Sequence, residues 1–294
     1  MAGATLARGP AAMGTGRAFG TFGELMQGVL ASDGRDFLVT LPIARWSVAR
    51  YRAEPGTPLR TTPADKNRSG ALARRMLTWL GLEPCGRLHL SSELPVGKGM
   101  ASSSADLVAT ARAICDAAGT EPSPWAIEDL LRDVEPTDGV MYDGVVAFYH
   151  REVRLRQALG RIPPLTIVGI DEGGTIDTVS FNGIPKPFTM DDRYDYQSML
   201  DSLERAIAHS DVHVLGAVAT RSAVMNQRLA PKRLLGAVIR LAEDTGALGV
   251  VAAHSGTRLG VLLADADPDY TVKFARTVDG CRRLGVPVSV EHTL

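Results

Sequence analysis

The stretch Pro95-Val96-Gly97-Lys98-Gly99-Met100-Ala101-Ser102-Ser103-Ser104-Ala105-Asp106 concentrates residue types that bind an anion. Its glycines permit tight turns and close approach of the backbone. Its serines offer hydroxyls and backbone N–H groups where a helix begins, at the positive end of the helix dipole. Alternating residues before it (Leu88, Leu90) and an apolar run after it place it between a strand and a helix. The stretch reads as a phosphate cradle. A lone serine there would be explained as an N-cap, but two glycines and three serines together exceed what a cap needs. It is not a Walker A loop, because Gly97-Lys98 is followed by Gly99 instead of Ser or Thr.

Three further segments hold chemistry-bearing residues. Glu135-Pro136-Thr137-Asp138-Gly139 sets two carboxylates around a proline turn, and Asp138, between that turn and a glycine, is the better fixed of them. Glu128, Asp129 and Asp133 read most simply as a solvated helix face. Gly20 to Gly28 combines three glycines with polar residues and reads as a loop between strands presenting Glu24 and Gln27. His254-Ser255-Gly256-Thr257 reads as a turn between two strands. His89, His150, His209, His213 and His292 show no metal-ligand spacing and read as structural or surface residues.

These segments need elements to position them. Strand patterns cover Phe37–Leu41, Trp46–Ala53, Gly86–Leu94, Val145–Tyr149, Leu165–Ile170, Ile176–Phe181, Gly249–Ala253, Leu259–Leu263 and Val286–Val290. Helical spacing covers Ala71–Leu82, Ala105–Ala118, Pro124–Val134, Tyr194–His209, Val212–Asn226, Lys232–Thr245 and Tyr270–Leu284, with Ser123 at an N-cap position and Gly119 at a C-cap. Strands and helices mixed in this order predict an α+β fold. Charged residues 150–162 before Pro163-Pro164 mark the passage between two lobes, 18–162 and 163–294, after a flexible tail over 1–17.

Composition narrows the function classes. A chain of 294 residues, 45% apolar and with a formal net charge of −1, has cores for two lobes and no general surface for nucleic acid or acidic membranes. Three scattered cysteines, Cys85, Cys115 and Cys281, form neither a disulfide framework nor a zinc site. The Ala/Gly-rich start lacks the apolar core of a signal peptide and no run is long enough to span a bilayer, so a cytoplasmic location is expected.

Taken together and in this order, the segments resemble the GHMP kinases, the superfamily of galactokinase, homoserine kinase and mevalonate kinase. Pro95, Gly99, Ser102, Ser103 and Ala105 fit its central signature, with Met100 and Ala101 where Leu and Gly are usual. Gly23-Glu24-Leu25-Met26-Gln27-Gly28, the Gly-Lys-Gly-Met-Ala-Ser-Ser run from Gly97, Glu135-Pro136-Thr137-Asp138-Gly139 and His254-Ser255-Gly256-Thr257 are most similar to the L-threonine kinase branch that serves cobalamin side-chain assembly. The resemblance runs from about Gly20 to near the end of the chain.

It implies a two-lobed GHMP kinase fold, with an N-terminal β-α-β ATP-binding lobe and a C-terminal ferredoxin-like lobe. ATP would be held by Pro95, Gly97, Lys98, Gly99, Met100, Ala101, Ser102, Ser103 and Ser104, with Lys98 as the cation on the phosphates. Mg²⁺ would be held by Ser103 and an acid, with Glu135 and Glu128 both open for that role. Asp138 matches the catalytic aspartate that accepts the hydroxyl proton or orients the hydroxyl. Glu24, Gln27, Thr137, Asp138, His254, Ser255, Gly256 and Thr257 would face the acceptor. The expected activity is ATP-dependent phosphorylation of the side-chain hydroxyl of L-threonine or a closely related small hydroxy amino acid. The alternatives are a kinase of another small alcohol (homoserine, a sugar or an isoprenoid) and a silent binding protein on the same fold. The expected partner is a small molecule, with neither nucleic acid nor membrane, and a homodimer is compatible with the reading.

Overall fold

The computed structural model describes residues 12–175 and 183–294. The strand expected at Ile176–Phe181 lies outside the described residues, as does most of the expected tail. Strand β1 begins at Met13 and runs to Val29, so residues 13–17 are sheet, not tail. The Ala/Gly content there has a packing cause. A Cβ on Gly16 would lie 2.2 Å from the backbone carbonyl of Ala109 and one on Gly14 2.1 Å from that of Ala113, so only glycine lets the helix above settle onto this strand.

The elements follow in the order β1, β2 (Asp36–Arg52), β3 (Arg60–Thr62), α1 (Asn67–Trp79), β4 (Arg87–Ser92), α2 (Ser102–Ala117), α3 (Pro124–Leu131), β5 (Val145–Tyr149) and β6 (Arg154–Gly160). The second half adds β7 (Leu165–Asp171), α4 (Met190–Ala208), α5 (Val212–Asn226), α6 (Leu235–Thr245), β8 (Gly249–Ala252), β9 (Arg258–Ala264), α7 (Tyr270–Arg283) and β10 (Val288–His292). The stretch 150–162, expected as a mere passage between lobes, supplies β6, which pairs antiparallel with β5.

Among the described residues the strands form one sheet in the order β10-β7-β9-β8-β1-β2-β4-β3, with β5 joining β2 and β6 joining β5. The strand pairs are antiparallel apart from β3 with β4. The two halves meet where Glu24 of β1 pairs with Ala252 of β8. Two apolar cores form, and the division between them does not follow the boundary expected at 162/163, because Leu165, Ile167, Tyr196 and Leu200 join the first. One gathers the buried faces of β1, β2, α1, α2 and α4, and the other lies between α6, α7 and the face of β7, β8 and β9. An α+β chain with this two-lobed layout is the architecture expected above.

Gly20–Gly28, expected as a loop, lies inside β1. Its register against β2 slips after Phe19, Thr21 and Glu24, and Gly23 takes φ +53°. Bulges of this kind interrupt the ladder and re-aim side chains. They turn Glu24 towards the junction of the lobes without ending the strand.

Candidate active site

The cradle is built by the connection from β4 to α2. Gly97 and Gly99 take φ +71° and +76°, which L side chains rarely adopt. Two backbone bonds tie the turn to the bulged part of β1, from Thr21 N–H to Met100 O (3.3 Å) and from Gly23 N–H to Gly99 O (2.9 Å). Ala101 is the N-cap of α2 and sits in the left-handed region at φ +55°, with no side-chain cap on the helix. The first N–H groups of α2 therefore have no side-chain acceptor from the cap, and they line a cavity of about 200 Å³ between the lobes through Ser102, Ser103 and Ser104.

Asp138 faces the same cavity. Ser104 fixes it twice: its Oγ accepts from Asp138 N–H (3.0 Å) and donates to Asp138 Oδ2 (3.2 Å). The preceding residue is pinned by Thr137 N–H to His150 O (3.1 Å). Burial raises the Asp138 carboxyl, the negative charge of Glu24 raises it further, and the hydrogen bond from Ser104 offsets only part of this, leaving it at about 7. A carboxylate in that range holds a proton weakly enough to exist ionised at neutral pH and strongly enough to accept one from an alcohol.

Glu135 and Ser103 meet at the mouth of the cradle, where the Ser103 hydroxyl donates to the Glu135 carboxylate and Arg68 pairs with its other oxygen. Glu128 is elsewhere. It lies outside the cavity and accepts from Tyr142 OH (2.9 Å) and Leu155 N–H (2.6 Å), which joins α3 to β6. Of the two acids left open by sequence, the structure thus brings Glu135 to the cradle and leaves Glu128 in a structural contact.

Glu24 lines the cavity and is held from behind by His254, whose backbone N–H and Nδ1 approach Glu24 Oε2 at 3.0 and 2.9 Å. The other ring nitrogen, Nε2, lies 2.9 Å from Ser222 Oγ on α5, which in turn accepts from Gln27 N–H. His254 is not among the residues that line the cavity, and its part is to support Glu24. Ser255 lines the cavity, whereas Gly256 and Thr257 do not. Gly256 lies against the cradle, the buried Lys232 donates to its carbonyl (2.6 Å), and Thr257 donates to Asp171 (2.7 Å). Gln27 is buried beside His150.

Lys98 points out of the cavity. Its ammonium binds Asp171 (2.8 Å) and Gly174 O (2.7 Å) on the second lobe. Burial would raise the Asp171 carboxyl, but the hydrogen bonds from Lys98, Thr257 and Gly173 N–H outweigh it and hold it below the usual range. Among the described residues lining the cavity the cation is Arg68, which follows the Asn67 start of α1 and carried no motif in the sequence. His150, read as structural from sequence, also lines the cavity. Neither was legible by spacing, since each reaches the site from a distant part of the chain.

Residues 69–151 match the GHMP kinases N terminal domain family. The homoserine kinase structure from Cytophaga hutchinsonii superposes with a TM-score of 0.74 at 16% identity, covering 98% of this chain and 96% of that one. The chain has the two-lobed GHMP kinase fold with a GHMP kinase N-terminal domain, and is a small-molecule kinase of that type. Its similarity is more particular to two proteins named L-threonine kinase. That from Citrobacter freundii is 28% identical over 246 residues, 82% of this chain and 83% of the relative, and that from Salmonella typhimurium is 29% identical over 246 residues, 82% and 80% respectively. Kinases of this class take ATP as the phosphate donor. No helix among the described residues is long and apolar enough to cross a membrane.

Proposed function

We propose that the protein transfers the γ-phosphoryl group of ATP to the side-chain hydroxyl of L-threonine or a closely related small hydroxy amino acid, giving an O-phospho amino acid. The observation that carries this reading is the double hydrogen bond between Ser104 and Asp138, which locks a base to the first turn of the phosphate-binding helix. The similarity to two L-threonine kinases over four fifths of the chain supports the choice of acceptor.

In this reading the free N–H groups at Ser102 to Ser104 hold phosphate oxygens. Arg68, which lines the cavity beside Glu135, supplies the side-chain cation in place of Lys98, which lies outside the cavity lining on Asp171 of the second lobe. A hydroxyl beside a carboxylate is a hard-oxygen donor set, and phosphate and water oxygens ordinarily complete the shell of Mg²⁺. One hydroxyl and one carboxylate leave most of a coordination shell to other oxygens, so the fit is to a metal that arrives with nucleotide. Ser103 and Glu135 would hold it, and Mg²⁺ so bound would neutralise charge on the transferring phosphoryl group. Asp138 takes the proton of the attacking hydroxyl. Glu24, kept in orientation by His254, meets the ammonium of the acceptor. Charge balance favours this pairing, because Glu24, Glu135 and Asp138 all line the cavity and would repel an anionic acceptor that brought no cation.

Homoserine is the second reading, favoured by the fold match to a homoserine kinase, and it carries the same ammonium and carboxylate. ATP turnover against L-threonine, L-serine, L-homoserine and non-amino-acid alcohols, with mass detection of the product, decides between them. Phosphothreonine as the main product supports the proposal, and turnover confined to sugars or isoprenoid alcohols overturns it.

A further inference from the structure

His150 follows β5 and joins Glu24, Thr137 and Asp138 in lining the acceptor half of the cavity, yet it is only 3% exposed. Its Nε2 lies 3.4 Å from the amide nitrogen of Gln27. An amide nitrogen can only donate, so Nε2 is the acceptor in this contact and the single proton of the neutral ring is carried by Nδ1. In this orientation Gln27 spends one amide N–H on the ring, and its carbonyl oxygen Oε1 has no partner among the described residues. The ring is neutral because burial, followed by the charges of Lys186 and Arg151, lowers its pKa to about 3. The Nδ1–H donor so defined has no hydrogen-bond partner among the described residues. Buried donors are seldom left unmet, and one at the wall of a substrate cavity is most economically met by the substrate.

We propose that His150 Nδ1–H is the recognition donor for the carboxylate of the acceptor, and that Gln27 is the positioning residue that fixes the ring and its tautomer. This rests on the acceptor reading given above and narrows it to α-amino acids: Glu24 takes the ammonium, His150 the carboxylate and Asp138 the hydroxyl. The placement is chemically selective. The other charged groups on the cavity wall are three carboxylates and Arg68, and Arg68 is engaged by Glu135 at the phosphate end. A substrate carboxylate finds an uncommitted donor at His150.

The test compares L-threonine with 1-amino-2-propanol, which is threonine without its carboxylate, in the full-length protein. His150→Phe keeps a ring and removes the donor. His150→Asn keeps an N–H close to the position of Nδ1. The wild-type protein is expected to favour threonine over aminopropanol by at least about tenfold in KM. His150→Phe should raise KM for threonine by about tenfold, leave KM for aminopropanol and ATP unchanged and lower kcat much less, and His150→Asn should recover most of the loss. Equal changes for both acceptors, or no change for threonine, overturn the proposal. If the phenylalanine variant does not fold, a wild-type protein that accepts aminopropanol as readily as threonine still overturns it. Should homoserine be the acceptor instead, the threonine reading fails alone, and homoserine against 3-amino-1-propanol tests His150 in the same way. A wild-type protein that phosphorylates no α-amino acid removes both.

Discussion

The loop from β4 to α2 and the turn from β8 to β9 look alike in sequence, each with glycine, hydroxyl side chains and a basic or imidazole group, but the protein uses them differently. The first keeps the backbone of its helix start open: α2 has no side-chain cap, and its serines border the cavity, where Ser103 and Ser104 hold Glu135 and Asp138. The second is consumed by internal bonds. His254 is spent on Glu24 and Ser222, the Gly256 carbonyl on Lys232 and the Thr257 hydroxyl on Asp171. A Cβ on Gly256 would lie 2.3 Å from Lys98 O, so this turn is pressed onto the back of the cradle. A Cβ on Gly99 would in turn lie 2.4 Å from the Cβ of Ala253, so that glycine serves the contact between loops and not only the approach of a ligand. Residues that face an open cavity bind. The same types packed against one another hold the binding surface in place.

That contrast predicts that damage to the open side is read in turnover and damage to the packed side in stability. The largest effect is expected for Asp138→Asn, with kcat lower by about 10²- to 10⁴-fold and nucleotide affinity kept; turnover near the wild-type value in a single-turnover assay would remove Asp138 from proton transfer. Because Asp138 works ionised and its carboxyl sits at about 7, wild-type kcat/KM should rise with pH through neutrality, and that limb should vanish in the variant. Its folded-state value lies above the ordinary carboxylate value. Its contribution to stability is therefore highest below about pH 4 and is lost as the pH rises to about 7. Asp138→Asn should then be more stable relative to wild type at pH 8 than at pH 4, by thermal denaturation.

Next in size, Gly256→Val drives side-chain atoms into the Lys98 backbone and should cost about 3 kcal/mol in a denaturant titration, since packed backbone cannot yield as a flexible side chain does. An unchanged midpoint would mean that the two loops part easily. Arg68→Met should weaken ATP binding about tenfold, while Lys98→Met should leave it within about twofold. Calorimetry showing the reverse order would return Lys98 to the phosphates. The smallest change is expected for Ala101→Gly, which relieves a left-handed alanine at a gain of up to about 1 kcal/mol, offset in part by the entropy of the unfolded glycine. A lower melting temperature would show that the methyl group's packing outweighs the strain.

Sequence by itself determined what is local. The strand, turn and helix around the cradle, the proline turn that carries Asp138 and the helical periodicities all follow from neighbours within a few residues, and the fold class followed from their order. Local reading failed where glycine had two meanings: it took Gly20–Gly28 for a loop, because bulges inside a long strand and loops use the same residues. It also could not separate Glu135 from Glu128, which differ in what Ser103 and Tyr142 present to them from other elements.

Only the tertiary structure decided which polar side chains are spent and which are left over. Lys98 sits between the two glycines that shape the cradle, yet its partner Asp171 comes from β7 on the other lobe. His150 has an unremarkable sequence setting. It reaches the acceptor cavity because β1 pairs with β2 and β2 with β5, which also sets Gln27 of β1 beside its ring. The physical reason is common to both. A hydrogen bond or ion pair depends on distances of about 3 Å, and residues far apart in the chain acquire such distances only when the sheet closes and the lobes meet.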